Sequence, residues 1–209
     1  MRDYATHALS PARRHAPMWW AGLGVVYLLA GAFVFSPGLQ AGFVSDAFGF
    51  LETVRAASWE SVGAWFVPVG SSFYRPLYLV TLWTAHRVFG LDPGGYHVIA
   101  WLAHVLSALA LAAVALSVTR DRIAAGVAGF AFLWSIHAHE VVYDVAALHH
   151  ALGGLLLLAT ILAWIRGRRG VSLIIVTVGL FVNELARVAL PTLGWHDLCL
   201  GGAPTIRAR

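Results

Sequence analysis

Long apolar stretches dominate the chain and alternate with short polar segments. After an N-terminal segment with Arg2, Arg13 and Arg14, an apolar run extends from Met18 to about residue 39. Further apolar runs cover about 97–118, 123–138, 147–165 and 171–190. Because an α-helix rises about 1.5 Å per residue, about 20 apolar residues cross a hydrocarbon core of about 30 Å. The pattern predicts about five transmembrane helices, and the first is too long for a cleaved signal peptide.

The segment 76–90 is apolar but reaches only about 21 Å as a helix, too short to cross the bilayer. Pro76 suits the first helical position and Gly90 suits a helix end, so the segment predicts a helix on the membrane surface. An earlier helix is predicted from an N-cap at Ser45 to about Ser58. Residues 40–96 are therefore expected to form a long outer loop with two juxtamembrane helices.

The arginines favour this arrangement over one with an additional crossing at 76–90. If 76–90 crossed the membrane, four arginines would lie inside and seven outside, counted before the last apolar run. If it lies on the surface, three lie outside and eight inside, at positions 2, 13, 14, 120, 122, 166, 168 and 169. Positive residues are enriched on the cytoplasmic side. We predict a multi-pass protein of the inner (plasma) membrane, with residues 1–17 cytoplasmic and 40–96 outside.

Composition excludes several classes of protein. The chain of 209 residues is 59% apolar and 11% charged, which is too apolar for an ordinary soluble domain. The 14 basic residues are all arginine and give a net charge of +4, but they are scattered between apolar runs. They indicate membrane orientation rather than nucleic-acid binding. The single cysteine, Cys199, excludes an internal disulfide and a cysteine-based metal site.

Candidate chemistry collects on the predicted outer side. Asp46 begins the first loop helix, where a carboxylate acts either as a general base or as a partner of the helix dipole. His137, Glu140 and Asp144 are spaced to share one helical face. Such a group binds a metal, orients a polar substrate, or simply ends the helix among lipid headgroups.

Polar residues within the apolar runs provide further candidates. His97 and His104 are seven residues apart, and His104 lies deep enough that we expect it to face a protein interior or a polar cavity. The neighbours His149 and His150 are expected to point in different directions. Glu184 and Arg187 are spaced as a pair within one helix, which lowers the cost of insertion.

The order of these features resembles the GT-C superfamily of polytopic glycosyltransferases that use lipid-linked sugars. The residues that carry the resemblance are Phe43-Val-Ser-Asp46, Tyr74-Arg-Pro-Leu77, Gly90-Leu-Asp-Pro93, Tyr96-His97 with His104, and His137-Ala-His-Glu140-Val-Val-Tyr143. The chain is most similar to the branch of protein O-mannosyltransferase-like and tetratricopeptide-associated members, over about residues 18–165. The lipid A aminoarabinose transferases are more distantly similar.

The resemblance implies an activity and roles for individual residues. It implies inverting transfer of a sugar from a polyprenyl-phosphate donor to a hydroxyl of a protein, lipid or polysaccharide, outside the cytoplasm. Asp46 would be the general base and Glu140 the second acidic position, while Ser45 stands where the family has another acid. Arg75 with Tyr74 would contact the donor phosphate; His97, His104, His137 and Asp144 would bind substrate, and Asn183-Glu184 would match a Lys-Glu pair. The chemistry requires no metal or other cofactor, and none is predicted.

Three hypotheses follow from the sequence. Family members usually have more spans, so 18–190 is expected to be the N-terminal module of such an enzyme and 191–209 a truncated tail. The second hypothesis is a non-catalytic membrane subunit or remnant, acting with a partner subunit. The third is a metal-handling membrane protein that uses His137, His139, Glu140 and His149 or His150.

Overall fold

A computed structural model describes residues 16–68 and 73–200 of the chain. The predicted cytoplasmic segment, except for residues 16 and 17, and residues 201–209 of the predicted tail lie outside the described residues. The described part is helical and contains no strand, which confirms the all-α prediction. The α-helices are α1 Ala16–Phe35, α2 Ala47–Ala56, α3 Trp59–Ala64, α4 Pro76–Phe89, α5 Pro93–Thr119, α6 Arg122–Leu133, α7 Ala138–Tyr143, α8 Leu148–Ile165, α9 Arg169–Val182 and α10 Ala189–Leu200.

Within residues 16–68 and 73–200, three helical segments are long and apolar enough to cross a membrane. They are Pro17–Phe35, Pro93–Thr119 and Val145–Ile165, with mean hydropathies of 1.8, 2.2 and 1.9. These segments indicate a membrane protein, as the sequence predicts. The other two predicted spans correspond to α6 and α9, which are apolar but have only 12 and 14 residues.

Small residues allow α1, α5 and α6 to pack closely. A Cβ added at Gly129 of α6 would lie 2.4 Å from the Tyr27 hydroxyl and 2.6 Å from the backbone oxygen of Ala108. The Tyr27 hydroxyl donates a hydrogen bond of 2.6 Å to the backbone oxygen of Gly126. Close backbone approach at glycine and alanine is typical of helix packing in membranes, where van der Waals contact replaces the hydrophobic driving force.

The connections gather at two opposite ends of the helices. At one end, here called the loop end, the Tyr143 hydroxyl donates to the backbone oxygen of Val34, and His97 contacts the backbone oxygens of Ala41 and Val142. The loop end comprises 36–68, 73–97, 134–147 and Asn183. The opposite end, here called the basic end, comprises 119–122 and 166–169.

The helix predicted at 76–90 is confirmed. Pro76 occupies its first turn, and Gly90 ends it with a positive φ of 59°. α4 packs against other segments of the loop end, where the Tyr78 hydroxyl donates a hydrogen bond to the backbone oxygen of Ala146 over 3.1 Å. The Trp83 indole N–H donates to the backbone oxygen of Ala57 over 3.2 Å.

The start of α2 differs from the prediction by one residue. Asp46, rather than Ser45, is the residue before the first helical turn, and its side chain makes no capping hydrogen bond. Ser45 adopts a positive φ of 45°, so the chain turns before the helix begins. Asp46 is therefore an exposed residue at the helix entrance.

The predicted shared face of His137, Glu140 and Asp144 is not a continuous helical face. The short helix α7 ends at Tyr143, and the backbone at Asp144 is extended. The Asp144 carboxylate instead accepts a hydrogen bond of 2.8 Å from the backbone N–H of Ala146, which begins a 3-10 turn at Val145–Ala147. A side chain that caps the next turn cannot also project from the preceding helix.

The predicted last span, 171–190, is two segments that run in opposite directions. The backbone is extended at Asn183, after which a 3-10 helix, Glu184–Val188, leads into α10. The chain then returns to the basic end, where Asp197 accepts hydrogen bonds from the Trp164 indole over 2.9 Å and from Arg169 over 3.0 Å. The first part of the predicted C-terminal tail is therefore helical and packed.

Candidate functional site

Two features meet at the loop end. One is a polar cluster of Arg75, Asn183, Glu184, His149 and His150, and the other is a cavity between α5, α7 and α8. His150 belongs to both, since it contacts Asn183 and lines the cavity. The last turn before α10 and the first turn of α8 bring these groups together.

An ion pair forms one side of the polar cluster. The Arg75 guanidinium donates from Nε to Oε2 of Glu184 over 2.8 Å, and its second nitrogen donates to Oε1. Arg75 is mostly buried, with 13% of its side chain exposed, whereas 36% of the Glu184 side chain is exposed. The guanidinium of Arg75 lowers the pKa of Glu184 to about 2.

This ion pair corrects the prediction for Glu184. The sequence pairs Glu184 with Arg187 on one helix, but the Arg187 Nε donates to the backbone oxygen of Glu184 over 3.1 Å. The carboxylate is used by Arg75, which is 109 residues away in the chain. The resemblance links Arg75 to the donor phosphate, and it matches Glu184 to the acid of a Lys-Glu pair.

Asn183 organises the centre of the cluster. Its side-chain oxygen accepts from the backbone N–H of Leu185 over 2.9 Å, which fixes the orientation of the amide. The amide nitrogen then lies 3.2 Å from the backbone oxygen of His149 and 3.1 Å from Nδ1 of His150. Asn183 is fully buried against Gly153, where an added Cβ would lie 2.8 Å from that of Asn183.

His149 is held on the opposite side of the same turn. Its Nδ1 lies 2.7 Å from the backbone oxygen of Ala146, and its ring packs against those of Tyr78 and His150 at 5.1 and 4.0 Å. The two histidine rings thus lie together, contrary to the sequence expectation. Among the described residues, Nε2 of His149 has no hydrogen-bond partner although it is buried. Burial raises the pKa of the adjacent Tyr78 hydroxyl.

The cavity has a volume of about 130 Å³. His104 lines it, as the sequence predicts, and its Nε2 lies 3.3 Å from the backbone oxygen of Leu133. Its ring stacks on Phe132 with centroids 5.0 Å apart. His137 also lines this cavity, together with Ser107, Ser135 and His150. The walls of the cavity are therefore mostly apolar, with a few polar side chains among them.

The two predicted catalytic acids lie elsewhere on the loop end. Asp46 is exposed at the start of α2, where the Ser45 hydroxyl lies 3.4 Å from its carboxylate, and Glu140 is exposed on α7. Neither Asp46 nor Glu140 is among the described residues that line the cavity. The Tyr74 hydroxyl donates to the backbone oxygen of Phe66 over 2.9 Å.

Both ring nitrogens of His97 contact the backbone. Nδ1 lies 2.9 Å from the oxygen of Val142 and Nε2 lies 3.1 Å from that of Ala41. His97 is fully buried, so these contacts join the start of α5 to α7 and to the segment after α1. This geometry gives His97 a structural role at the loop end.

The histidines that the structure describes do not converge on a metal site. Among residues 16–68 and 73–200, no group of three or more His, Cys, Asp or Glu side chains is placed to hold a metal ion. The metal-handling hypothesis therefore has no ligand set within this part of the chain.

The sequence identifies His104, His137 and Arg75 as candidates individually, but it does not predict that they lie near one another. Asn183 was missed as a positioning residue, because it was noted only as the counterpart of a lysine in the resemblance. A buried asparagine next to a glutamate at the end of an apolar run is the signal that identifies it, since such an amide needs partners.

No protein-family model matches the chain, and neither does any curated protein or solved structure. The function is therefore argued from the motifs of the sequence and from the geometry described above.

Proposed function

We propose that the chain is a membrane glycosyltransferase, or the N-terminal module of one, that transfers a sugar from a polyprenyl-phosphate donor to an acceptor hydroxyl. One observation carries the proposal. The Arg75 guanidinium, whose geometry suits a phosphate, is paired with Glu184, and the adjacent Asn183 contacts His150, which lines a cavity with polar side chains. A polyprenyl-phosphate sugar also has two parts: an anionic phosphate, which suits Arg75, and an uncharged sugar, which suits the cavity.

The proposed reaction needs one base and local positive charge. The acceptor O–H gives its proton to the Asp46 carboxylate while its oxygen attacks the anomeric carbon of the sugar. The bond from that carbon to the phosphate oxygen breaks, and its electron pair leaves with the polyprenyl phosphate, which Arg75 stabilises. Attack opposite the leaving group inverts the anomeric centre. Glu140 is proposed to orient the acceptor.

The proposed membrane arrangement keeps the five predicted crossings, made by α1, α5, α6, α8 and α9, and adds α10 as a return from the loop end to the basic end. The protein lies in the inner membrane in this arrangement. Its N-terminus is in the cytoplasm, and α2 and α4 lie on the outer surface. The distribution of arginine supports it, because the basic end carries the arginines at positions 120, 122, 166, 168 and 169. The loop end, with the polar cluster and cavity, is then extracytoplasmic.

Turnover in proteoliposomes tests the proposal. Release of polyprenyl phosphate from polyprenyl-phosphate hexose is measured with a solubilised membrane fraction as the source of acceptors. Loss of a general base lowers the rate by about 10²- to 10⁴-fold, which is the expected result for Asp46→Asn. The matched control is Glu52→Gln, a change at another exposed carboxylate of α2, and it retains the wild-type rate.

The outcomes separate the candidates. Equal turnover in wild type and Asp46→Asn would reject the assignment of Asp46 as base. Absence of turnover in the wild type would favour the second candidate, a non-catalytic membrane subunit that acts with a partner. The observation behind this second candidate is that Ser45 replaces one acid of the family pair, which leaves Asp46 as an exposed, single carboxylate.

A further inference from the structure

We propose that the cavity between α5, α7 and α8 binds an uncharged hydroxyl-bearing ring, such as a sugar, because its two fixed histidines offer one hydrogen-bond donor and one acceptor. The proposal deepens the proposed function and rests on it for the choice of a sugar. Two hydrogen-bond chains, one through Asn183 and one through Leu133, support it independently.

The first hydrogen-bond chain determines which ring nitrogen of His150 carries the hydrogen. The backbone N–H of Leu185 donates to the oxygen of the Asn183 amide, so the amide nitrogen must be the atom beside His150. An amide nitrogen only donates, so Nδ1 of His150 must accept. A neutral imidazole that accepts at Nδ1 carries its hydrogen on Nε2. His150 lines the cavity, so the ring at this wall carries its N–H donor at Nε2.

The second hydrogen-bond chain determines the tautomer of His104. The backbone oxygen of Leu133 only accepts, so Nε2 of His104 carries the hydrogen that lies between them. In a neutral ring, Nδ1 is then an acceptor. The hydroxyl of Ser107 donates to the backbone oxygen of Ala103 over 2.8 Å, so its lone pairs remain as acceptors at the cavity wall.

A hydroxyl group matches this pair of histidines because it donates and accepts at once. Of the described residues that line the cavity, none is arginine, aspartate or glutamate. An anion would lose its hydration there without a paired cation, which is costly. The phosphate of a donor would instead lie with Arg75, outside the cavity.

The size of the cavity limits the ligand to about one ring. Its volume is about 130 Å³. A cavity of about 150 Å³ holds one benzene molecule in a protein interior. A single hexose ring, or one face of it, is thus the largest neutral polyol that the cavity itself holds.

Histidine NMR measures the tautomers in the wild-type protein. The wild type, labelled with ¹⁵N-histidine, is placed in lipid nanodiscs at pH 8, and ring signals are assigned by substitution of single histidines. We expect His150 and His104 each to show a protonated Nε2 and a bare Nδ1. A protonated Nδ1 at either ring would overturn the proposal.

Ligand titration in the same sample tests the class of ligand. The probes are methyl hexoside and inorganic phosphate, each up to roughly 100 mM, the range needed for weak binding. We expect methyl hexoside to shift the ring signals of His104 and His150, and phosphate to leave them unchanged. Shifts with phosphate, or no shift with methyl hexoside, would overturn the proposal.

A matched pair of variants measures the contribution of the donor. Loss of one neutral hydrogen bond weakens binding about threefold to tenfold, which we expect for methyl hexoside with His150→Phe, followed at the His104 signals. His196→Phe, a change in α10 near the basic end, leaves the affinity unchanged. Equal affinities in the two variants would exclude His150 as a ligand-binding residue.

The outcomes distinguish this proposal from the proposed function. Turnover of polyprenyl-phosphate hexose without any shift on addition of methyl hexoside would reject the cavity as the sugar site and leave the transferase intact. Binding of methyl hexoside in a protein without turnover would retain the cavity and reject the transferase.

Discussion

Replacement of Glu184 by glutamine removes the charge that faces Arg75 and preserves the shape of the side chain. Glu184 holds Arg75 through both of its carboxylate oxygens, and only 13% of the Arg75 side chain is exposed. In Glu184→Gln the guanidinium is left without its counter-charge in a largely dehydrated position. We therefore expect the variant to fold less stably than the wild type at neutral pH.

The magnitude follows from the pKa shift and from exposure. The pKa of Glu184 falls from 4.5 to about 2. Each pKa unit corresponds to about 1.4 kcal/mol, so the shift sets an upper limit of about 3.4 kcal/mol. Since 36% of the Glu184 side chain is exposed, solvent screening reduces this value to about 2 kcal/mol. For a chain of this size the loss lowers Tm by about 4–8 °C.

The dependence on pH separates charge from shape. The pKa of Glu184 is lowered on folding, so its contribution is complete well above pH 4.5, declines below that pH and is lost as the pH falls through about 2. We expect a full difference in Tm between wild type and Glu184→Gln at pH 7 and about a quarter of that difference near pH 2.5. Thermal unfolding followed by tryptophan fluorescence in detergent micelles measures both.

Two results would refute this reasoning. An unchanged Tm at pH 7 would mean that the ion pair contributes nothing to the free energy of unfolding. A difference that persists undiminished near pH 2.5 would mean that the amide disturbs packing, and that charge is not the cause. Glu52→Gln, at an exposed position of α2, serves as the control and leaves Tm unchanged.

The other predictions concern helix packing and orientation. Gly129→Ala places a methyl group against backbone and is expected to cost about 1–3 kcal/mol of unfolding free energy, whereas Gly22→Ala, where nothing lies within 4 Å, costs nothing. Equal Tm values for these two variants would contradict the close packing of α6. In a Cys199→Ser background, Leu91→Cys and Arg166→Cys are expected to react with an impermeant maleimide from opposite sides of the membrane. Labelling from the same side would refute the proposed orientation.

Local sequence signals predicted the parts of the fold that depend on nearby residues. The boundaries of α4 follow from a proline that suits a first helical turn and a glycine that tolerates positive φ. The buried position of His104 follows from the cost of a polar group within an apolar helix. Both arguments use one segment at a time.

Predictions that assumed a continuous helix were wrong where a polar side chain capped the following turn. Asp144 ends α7 in this way, and Asn183 separates α9 from the returning α10. Helical spacing gives no warning of such a break, because the apolar pattern continues on both sides of it. The competition between a side chain and the backbone for hydrogen bonds decides the break.

The sequence by itself determined that this chain is helical, that it belongs in a membrane, and which polar residues are costly enough to matter. Only the tertiary structure decided their partners: Arg75 with Glu184, His150 with Asn183, and His104 and His137 around one cavity. The physical reason is that apolarity and helical periodicity are properties of short segments. A hydrogen bond or an ion pair instead requires two groups within about 3 Å, and helices distant in sequence meet only when the whole chain packs.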